Sequence, residues 1–596
     1  MANSPGSDAE GALRVTLSSE GTALPESVQV LSIDVNRAIN AVPTARLVIV
    51  DGALPNMQFP ISDTDDFKPG AAIRIDAGYG DGSETIFEGI VVKHGLQITG
   101  RGDARLVIEC CDKAVKMTVG RRNANHVDKR DSDVISALIA GAGLAADVET
   151  THVQHSELVQ YYCTDWDFML ARADANGLLV IATDGSVAAR SPETSAAPAL
   201  EVTYGQDLME FHAELDAPSQ YAVAQAVSWD MSTQAVVVGT EARPAALSAQ
   251  GDLDSAELAE VLGLASFRLQ TAAPKTRDTL TQWAKAQQLK SGLGRMRGRM
   301  RFQGSAKART GCVIALKGVG NRFSGNVFVT GVTHTIADGN WVTDVQFGLS
   351  PQWRTEQSHV TAPGAAGLLP AVEGLQVGVV MKLDGDPDGE QRIQVSVPVM
   401  QAETEGVWAR LAQFHGSKGF GAFFLPEIGD EVVLGYFNND PSHPVILGSL
   451  YSSKQAPPHA LAPENNTKAI VTRCGSRIEF DEDRKTITLT TPGNNRVVIS
   501  DDSGSILLHD QNDNKVELDP GGITLESTKD IRLNAKGSIT LDALNDIGIS
   551  SKADIKGAAL NINCEAQVGF AARGNASAEL SAAGQTVVKG ALVMIN

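Results

Sequence analysis

The sequence predicts a mainly β protein with four parts: two N-terminal β-barrels with small helical insertions, a smaller five-stranded barrel, and a C-terminal intertwined triple-stranded β-helix. Three observations support this prediction. Glycine is frequent, at 57 of 596 residues, aromatic residues make up only 5%, and apolar residues recur at a fixed interval near the C-terminus. Short strands joined by tight turns account for this balance, and at roughly 100–200 residues per domain the chain is long enough for several domains.

The net charge and the cysteine spacing exclude further classes of protein and of partner. Lys and Arg number 50 and Asp and Glu 71, so the formal net charge is -21. Such a surface repels nucleic acid phosphates and anionic membranes, so no nucleic acid partner is expected. The first residues lack the basic and apolar segments of a signal peptide. The six cysteines show no C-x-x-C spacing and are predicted to be buried free thiols of a chain folded in a reducing cytosol: Cys110, Cys111, Cys163, Cys312, Cys474 and Cys564.

The first 360 residues are predicted to form two barrels around a helix-containing insertion. We place the first barrel at residues 1–120, the insertion at 121–200 and the second barrel at 201–360. One helix is predicted to begin at Asp131 and to end at Gly141 or Gly143. Another begins at Thr164, with Asp167 three residues on as a variant capping box, and ends at Asn176-Gly177. Its apolar residues at helical spacing are predicted to be core rather than a cofactor site: Trp166, Met169, Leu170 and Ala173.

Two segments of this region resemble each other. The segment from Gly70 to His94 contains Gly-x-x-Ile-x-Ile followed by Phe-x-Gly, and the segment from Gly311 to His334 has a comparable order. Both are typical of two strands joined by a glycine-containing turn. Two similar barrels per chain would place six in a trimer.

Residues 372–451 contain five short strand patterns with polar turns between them. Their length and number suit an OB-like barrel. Residues 452–471 contain prolines and asparagines and are predicted to be a linker. The predicted strands are 376–380, 392–397, 407–411, 431–437 and 444–451.

The C-terminal region repeats every eight residues. Each octad has two apolar side chains at positions i and i+2, which share one face of a strand, followed by polar residues suited to a bend. No proline follows Pro520, so every backbone N–H can join a strand ladder. We predict that the repeated apolar residues form a trimer core: Ile523, Leu525, Ile531, Leu533, Ile539, Leu541, Ile547, Ile549 and Ile555.

The repeat length bears on the number of chains. A closed triangular rung needs roughly 18 or more residues at a strand rise of ~3.3 Å, whereas one octad supplies a single side. Three chains together close the rung, so residues 472–596 are predicted to form a trimeric needle. A β-solenoid made by one chain is the alternative.

Several residues closely resemble the VgrG spike family. Trp408-Ala-Arg410, the glycines that follow it, residues 426–432, Asn439-Asp-Pro441 and residues 444–449 are similar to that family's OB domain, and the needle follows directly. The family is similar to phage tail hub and central spike proteins of contractile injection systems. The resemblance implies a homotrimeric hub and membrane-puncturing spike that links a hexameric inner tube and baseplate to a trimeric needle.

The same resemblance implies partners and a location. The expected partners are inner tube and baseplate proteins, a PAAR-repeat tip protein, effector cargo and, transiently, the target cell envelope. The implied location is a phage tail-like particle that is assembled in the bacterial cytoplasm without a signal peptide and is delivered outside the cell on firing or release.

No catalytic, cofactor-binding or metal site is predicted. His152 and His155 lie near Glu149 and Glu157, which could suggest a metal site, but further ligands are missing and a solvated loop is the preferred interpretation. The sequence has no phosphate-binding loop, zinc-protease or nucleophile-elbow motif. We therefore expect no enzyme activity and no cofactor.

The C-terminal strand carries the predicted binding site for the tip protein. It alternates apolar residues and would expose strand edges and the interior of the prism, a surface that normally needs covering. A self-closed tip is the alternative. The predicted binding residues are Val587, Val588, Leu592, Val593, Met594, Ile595 and Asn596.

Two other functions were weighed against this one. A trimeric β-helix tailspike that degrades or adheres to glycans would need paired acids and aromatic sugar platforms, but the last tyrosine is Tyr451. A nucleic acid-binding OB protein would need a basic stripe with exposed aromatic residues, which the acidic net charge disfavours.

Overall fold

The computed structural model describes residues 3–52, 57–100, 103–245, 247, 249–401 and 406–595. The chain divides into two compact units, Met1–Leu450 and Tyr451–Asn596. Within the described residues, no helix combines the length and the apolar character needed to cross a membrane.

The first barrel region is built from seven antiparallel strands. Alternate side chains of these strands point inward, so that Ile33 and Leu47 are fully buried beside Phe67 and Phe87. The elements are α1 (Pro5–Asp8), β1 (Leu13–Ser19), β2 (Thr22–Ala23), β3 (Val30–Ala38), β4 (Thr44–Val50), β5 (Ala72–Tyr79), β6 (Glu84–Ile98) and β7 (Ala104–Cys111).

The insertion contains both predicted helices. The first begins at Asp131 and ends at Gly141, and the second is capped by Thr164, whose Oγ1 accepts a 3.0 Å hydrogen bond from the Asp167 N–H. The four residues predicted to pack in its core are buried. The elements are β8 (Arg122–Arg130), α2 (Asp131–Gly141), β9 (Ala145–Val148), β10 (Gln154–Cys163), α3 (Asp165–Ala175), β11 (Leu179–Thr183) and β12 (Ser186–Arg190).

The second barrel region has its own hydrophobic core, which includes Met300, Phe302 and Phe347. Its elements are β13 (Leu200–Thr203), β14 (Glu210–Leu215), β15 (Ala224–Asp230), β16 (Ala235–Val238), α4 (Ser255–Leu262), β17 (Phe267–Thr271), α5 (Arg277–Gly294), β18 (Met296–Gln303), β19 (Val313–Lys317), β20 (Gly325–Ala337) and β21 (Asn340–Phe347).

The two predicted barrels are not separate sheets, because most strands of both regions belong to one thirteen-stranded sheet. Strand β20 pairs antiparallel with β3, where Ile336 lies opposite Ile33. The two similar sequence segments form the hairpins β5–β6 and β19–β20. The core of the first region also includes Ile336 and Trp341 from the second region, while Met300, Phe302 and Phe347 belong to a second core.

The predicted five-stranded barrel is closed, in the order β22-β23-β24-β28-β27. At the turn formed by residues 427–430, the Asp430 carboxylate accepts a 2.8 Å hydrogen bond from the Glu427 N–H, and Gly429 adopts a φ of 90°. The strands are β22 (Gln376–Lys382), β23 (Ile393–Ser396), β24 (Val407–Leu411), β25 (Gly416–Ser417), β26 (Phe420–Gly421), β27 (Glu431–Tyr436) and β28 (Pro444–Ser449).

The second unit begins with a seven-stranded antiparallel meander. Its first strand lies within the predicted linker, and from residue 527 to residue 595 the single chain forms no regular strand. The strands are β29 (Thr467–Val471), β30 (Arg477–Asp481), β31 (Thr486–Thr490), β32 (Arg496–Ser500), β33 (Ser505–His509), β34 (Lys515–Asp519) and β35 (Gly522–Glu526).

Candidate functional site

The second unit carries an apolar face that runs across all seven strands of the meander. Cross-strand pairing places Ile478 opposite Leu489, Leu489 opposite Val497 and so on through the sheet. One row of directly opposed residues contains Ile470, Ile478, Leu489, Val497, Leu508, Val516 and Leu525.

A second row lies beside the first on the same face, because its members are two residues away along each strand. After Lys468 it contains Phe480, Ile487, Ile499, Ile506, Leu518 and Ile523. We call the two rows together the apolar ladder.

The apolar ladder has no hydrophobic core against it in the single chain. Among the described residues of the second unit, Ser500 alone is buried. A contiguous apolar surface of this size normally marks an interface. The ladder is therefore the strongest candidate for an assembly surface in the described chain.

The predicted needle, residues 472–596, includes nearly all of this surface, but the residues named as its core begin only at the end of the meander. Ile523 and Leu525 of the predicted trimer core close the two rows of the ladder. The residues upstream of them were missed because their strands recur at nine or ten residues rather than eight. The alternation of two apolar residues at i and i+2 was the signal that could have found them.

The remaining predicted core residues lie after the meander, where the single chain gives them no strand partner. Their exposed fractions, with those of Ile523 and Leu525, range from 52% to 73%. The structure thus leaves every member of the octad repeat uncovered: Ile531, Leu533, Ile539, Leu541, Ile547, Ile549 and Ile555.

The predicted tip-binding residues are also exposed in the single chain. They are Val587, Val588, Leu592, Val593, Met594 and Ile595, while Asn596 lies outside the described residues. Their role in binding stays a prediction.

The expectation of a solvated loop at His155 is wrong. His155 lies on β10, and its Nε2 is 3.0 Å from the Asp131 carboxylate, which also accepts hydrogen bonds from Arg172 and Asn176 at 2.6 and 2.8 Å. Burial acts to raise the pKa of Asp131, but the hydrogen bonds from His155 and Arg172 outweigh it and hold that pKa well below its usual range. The pairing joins β10, α2 and α3.

This network borders a cleft of about 850 Å³ in the first unit, which also has aromatic side chains in its wall, among them Trp283 and Trp353. Two further carboxylates of its wall form ion pairs: Asp174 with Lys290 at 2.8 Å and Asp216 with Arg297 at 3.1 Å. Among the described residues, no three His, Cys, Asp or Glu side chains are grouped so that they could hold a metal ion.

The prediction that all six cysteines are buried holds only for Cys110. Cys474 and Cys564 are exposed, and the other three are half-buried: Cys111, Cys163 and Cys312. Hydrogen bonds from Ser476 and Thr472 lower the pKa of the Cys474 thiol to about 7. All six are free thiols, as expected for a chain folded under reducing conditions.

Three family descriptions match the sequence. The "Alg8 N-terminal domain" covers residues 9–338, which is more than half of the chain. The chain belongs to the Alg8 N-terminal domain family. The "type VI secretion system/phage-baseplate injector OB domain" covers residues 376–451, and the "phage baseplate V C-terminal trimerisation domain" covers residues 486–593. The second match coincides with the closed barrel, and the third includes most of the apolar ladder.

Similar curated proteins are spike proteins of type VI secretion. VgrG3 of Vibrio cholerae is 28% identical over 173 residues, which is 28% of this chain and 16% of the relative. VgrG1c of Pseudomonas aeruginosa is 29% identical over 126 residues, which is 20% of this chain and 17% of the relative. The aligned part therefore spans about one sixth of the length of these relatives.

A solved structure that partly superimposes on the chain is the 43 kDa tail protein of prophage MuSo2 from Shewanella oneidensis. It is 11% identical, with a TM-score of 0.44 over 57% of this chain and 99% of that chain. The family matches confirm the predicted resemblance to VgrG-like spike proteins and the mainly β fold class with its OB barrel.

Proposed function

We propose that three copies of this chain form the hub and spike of a contractile injection machine. The apolar ladder supports the proposal most directly, because the second unit has an extended apolar face and no core of its own. A trimer would turn the three ladders toward one axis and bury them. Burial of one Leu or Ile side chain contributes about 1.5–3 kcal/mol, so three copies of the ladder would hold the chains together strongly.

The octad repeat would extend the same prism. Its side chains are exposed and its described residues form no regular strand within the chain, so pairing between chains would cover the apolar groups and supply a ladder for the backbone N–H and C=O groups. A needle with ladders shared among three chains resists local unfolding, because opening one rung breaks pairing in all three. This rigidity suits a mechanical role in piercing a target envelope.

The first unit would serve as the adapter to the inner tube and baseplate. Each chain carries two barrel regions on one sheet, so three chains present six, the number needed to match a hexameric tube. The boundaries proposed for these regions are those of the sequence prediction, whereas the proposed linker ends before β29, which begins at Thr467. No catalytic step forms part of this proposal.

The tip would be covered by a PAAR-repeat protein, with effector cargo carried by the same assembly. Exposure of residues 587–595 supports the proposed tip contact. We place the working protein in a phage tail-like particle that is delivered outside the producing cell.

The experiment that tests this function measures the mass of the purified chain by light scattering. The expected mass is three times 62.8 kDa. Ile539→Asp should prevent the trimer from forming, because it would place a charge inside the closed prism. Leu544→Asp is the matched control, since Leu544 is fully exposed and lies outside the repeat positions. A monomeric wild-type chain, or equal effects of the two substitutions, would refute the proposed needle.

A further inference from the structure

The OB barrel carries four of its phenylalanines on the outside. Its buried core is aliphatic throughout: Val380, Ile393, Val395, Ala409, Val432, Leu434 and Ile446. Four phenylalanines within eleven positions are instead 56–88% exposed: Phe414, Phe420, Phe423 and Phe424. The fold of the barrel therefore does not need these four side chains as core.

The four phenylalanines lie on an ordered excursion between β24 and β27, residues 413–425, which we call the Phe hairpin. The Ala422 N–H donates to the His415 carbonyl oxygen at 2.8 Å, and the Gln413 side-chain amide donates to the Phe424 carbonyl oxygen at 2.8 Å. A Cβ on Gly421 would lie 2.7 Å from the His415 carbonyl oxygen. These contacts hold the hairpin in shape while its aromatic faces stay in solvent.

The exposed apolar area of the Phe hairpin is large enough to indicate that another surface covers it. Each buried phenylalanine contributes on the order of 150–250 Å² of contact, so the hairpin offers several hundred Å². Monomeric soluble proteins rarely leave a contiguous apolar patch of that size exposed. Leu425 and Ile428 are exposed as well and widen the patch.

The charge of residues 406–426 is compatible with a second copy of the chain as the partner. Residues 406–426 contain Arg410 and Lys418 and no Asp or Glu, whereas the chain as a whole has a net charge of -21. The Phe hairpin itself, residues 413–425, contains Lys418 and no Asp or Glu, so it is aromatic and almost uncharged on an acidic protein. Because the hairpin contains no carboxylate, it can approach a second copy of this acidic chain without repulsion between like charges.

The covalent link to the trimerisation domain would hold a second copy of the barrel nearby, at high local concentration. The OB barrel precedes the matched trimerisation domain, residues 486–593, and tethering raises the effective concentration of neighbouring domains to roughly the millimolar range. We propose that the Phe hairpin of each copy docks onto the neighbouring copy in the trimer, in a contact that closes around the three-fold axis. This inference rests on the proposed trimer and adds a contact outside the needle.

Photo-crosslinking in the full chain tests the docking. The photoreactive p-benzoylphenylalanine replaces Phe423 in one variant and Ser442, an exposed polar residue of the same barrel, in the matched control. Irradiation at position 423 should produce covalent dimers and trimers of the chain at least five times more efficiently than at position 442. Light scattering of the same samples reports whether the trimer is present.

The outcomes separate the two proposals. A trimeric mass with no chain-to-chain crosslink at position 423 would overturn the docking and leave the spike function standing. A crosslink at 423 to a different protein would also overturn it, by assigning the hairpin to another partner. A monomeric mass would refute both.

Thiol accessibility provides an independent measurement. In a background of Cys474→Ser and Cys564→Ser, which removes the exposed thiols, Phe423→Cys should react with a bulky maleimide at least ten times more slowly than Ser442→Cys. Equal rates in the trimer would show that the hairpin is uncovered and would contradict the proposal.

Discussion

Ile487 lies directly opposite Ile499 across β31 and β32, and the two side chains remain 37% and 41% exposed. An apolar pair in the middle of a seven-stranded sheet is normally covered by a second layer. Its exposure in the single chain shows that the second unit lacks the layer that would complete it.

Replacement of Ile487 by Asp should weaken the trimer. A carboxylate in an apolar interior costs several kcal/mol, and each trimer would contain three of them, so a loss of trimer of about tenfold or more is expected. Light scattering over a dilution series measures the loss. Thr488→Asp places the same charge on the opposite face of the same strand and should leave the mass nearly unchanged; an equal loss there would contradict the assignment of the buried face.

Replacement of Asp131 by Ala should destabilise the first unit. Its side chain is 2% exposed and pairs with Arg172 and His155, and removal of one member of a buried ion pair costs about 3–5 kcal/mol. Urea unfolding of the first unit at pH 7 measures the loss. Asp133→Asn, which alters only a hydrogen bond to the exposed Arg130 N–H, is the milder control; an effect as large as that of Asp131→Ala would argue against the ion network.

The contribution of Asp131 to the free energy of unfolding should also depend on pH. Its pKa is held below the usual range, so the unfolded chain binds the proton more readily than the folded chain. The stabilisation is fully present above the unfolded pKa of ~3.9 and is lost as pH falls through the lower folded pKa. The difference in unfolding free energy between wild type and Asp131→Asn should therefore shrink below about pH 4. A difference that stays constant between pH 7 and pH 3 would disprove the linkage.

Cys474 should react as a thiolate at lower pH than an ordinary thiol. Its pKa of about 7 results from the hydrogen bonds from Ser476 and Thr472, and the thiolate is the nucleophile. The rate of alkylation at Cys474, followed by mass spectrometry of the digested protein, should rise to half its maximum near pH 7. The double variant Thr472→Val and Ser476→Ala should shift this midpoint upward, and an unchanged midpoint would show that the two hydroxyl groups do not set the pKa.

Charges introduced at residues 593 and 595 should abolish capture of a PAAR-repeat protein. The variant Val593→Asp with Ile595→Asp removes two exposed apolar contacts of the proposed tip surface and adds desolvation cost to binding. A pull-down with the purified wild-type trimer as reference measures the loss. Val568→Asp, at a fully exposed position away from the tip, should retain binding; equal capture by all three chains would rule out the tip surface.

Local patterns in the sequence were sufficient for the elements whose signals are local. The helix from Asp131 to Gly141 and the helix capped by Thr164 follow from caps and spacing within one element. The five strands of the OB barrel were likewise predictable, because alternation and turn residues lie within each strand and its neighbours. The octad repeat predicted an apolar face for the same reason.

Contacts between distant segments could not be predicted in this way. His155 contacts Asp131 from another element, 24 positions away. A periodic pattern within one element does not indicate a contact of this kind. The same limit applies to the shared sheet, since β3 and β20 pair across nearly three hundred residues. The strands in the upstream part of the apolar ladder begin nine or ten residues apart, so a search for a fixed interval of eight did not identify them.

The sequence by itself determined the order of β-rich regions, the helices and the apolar repeat, because these depend on neighbouring residues and on the period of the backbone. Only the tertiary structure decided that both barrel regions lie on one sheet, that Asp131 is held by His155 and Arg172, and that the OB barrel leaves its phenylalanines outside. Those features depend on strand register and on which surfaces remain after the cores are filled. Neither is encoded in the hydrophobic pattern of a single segment.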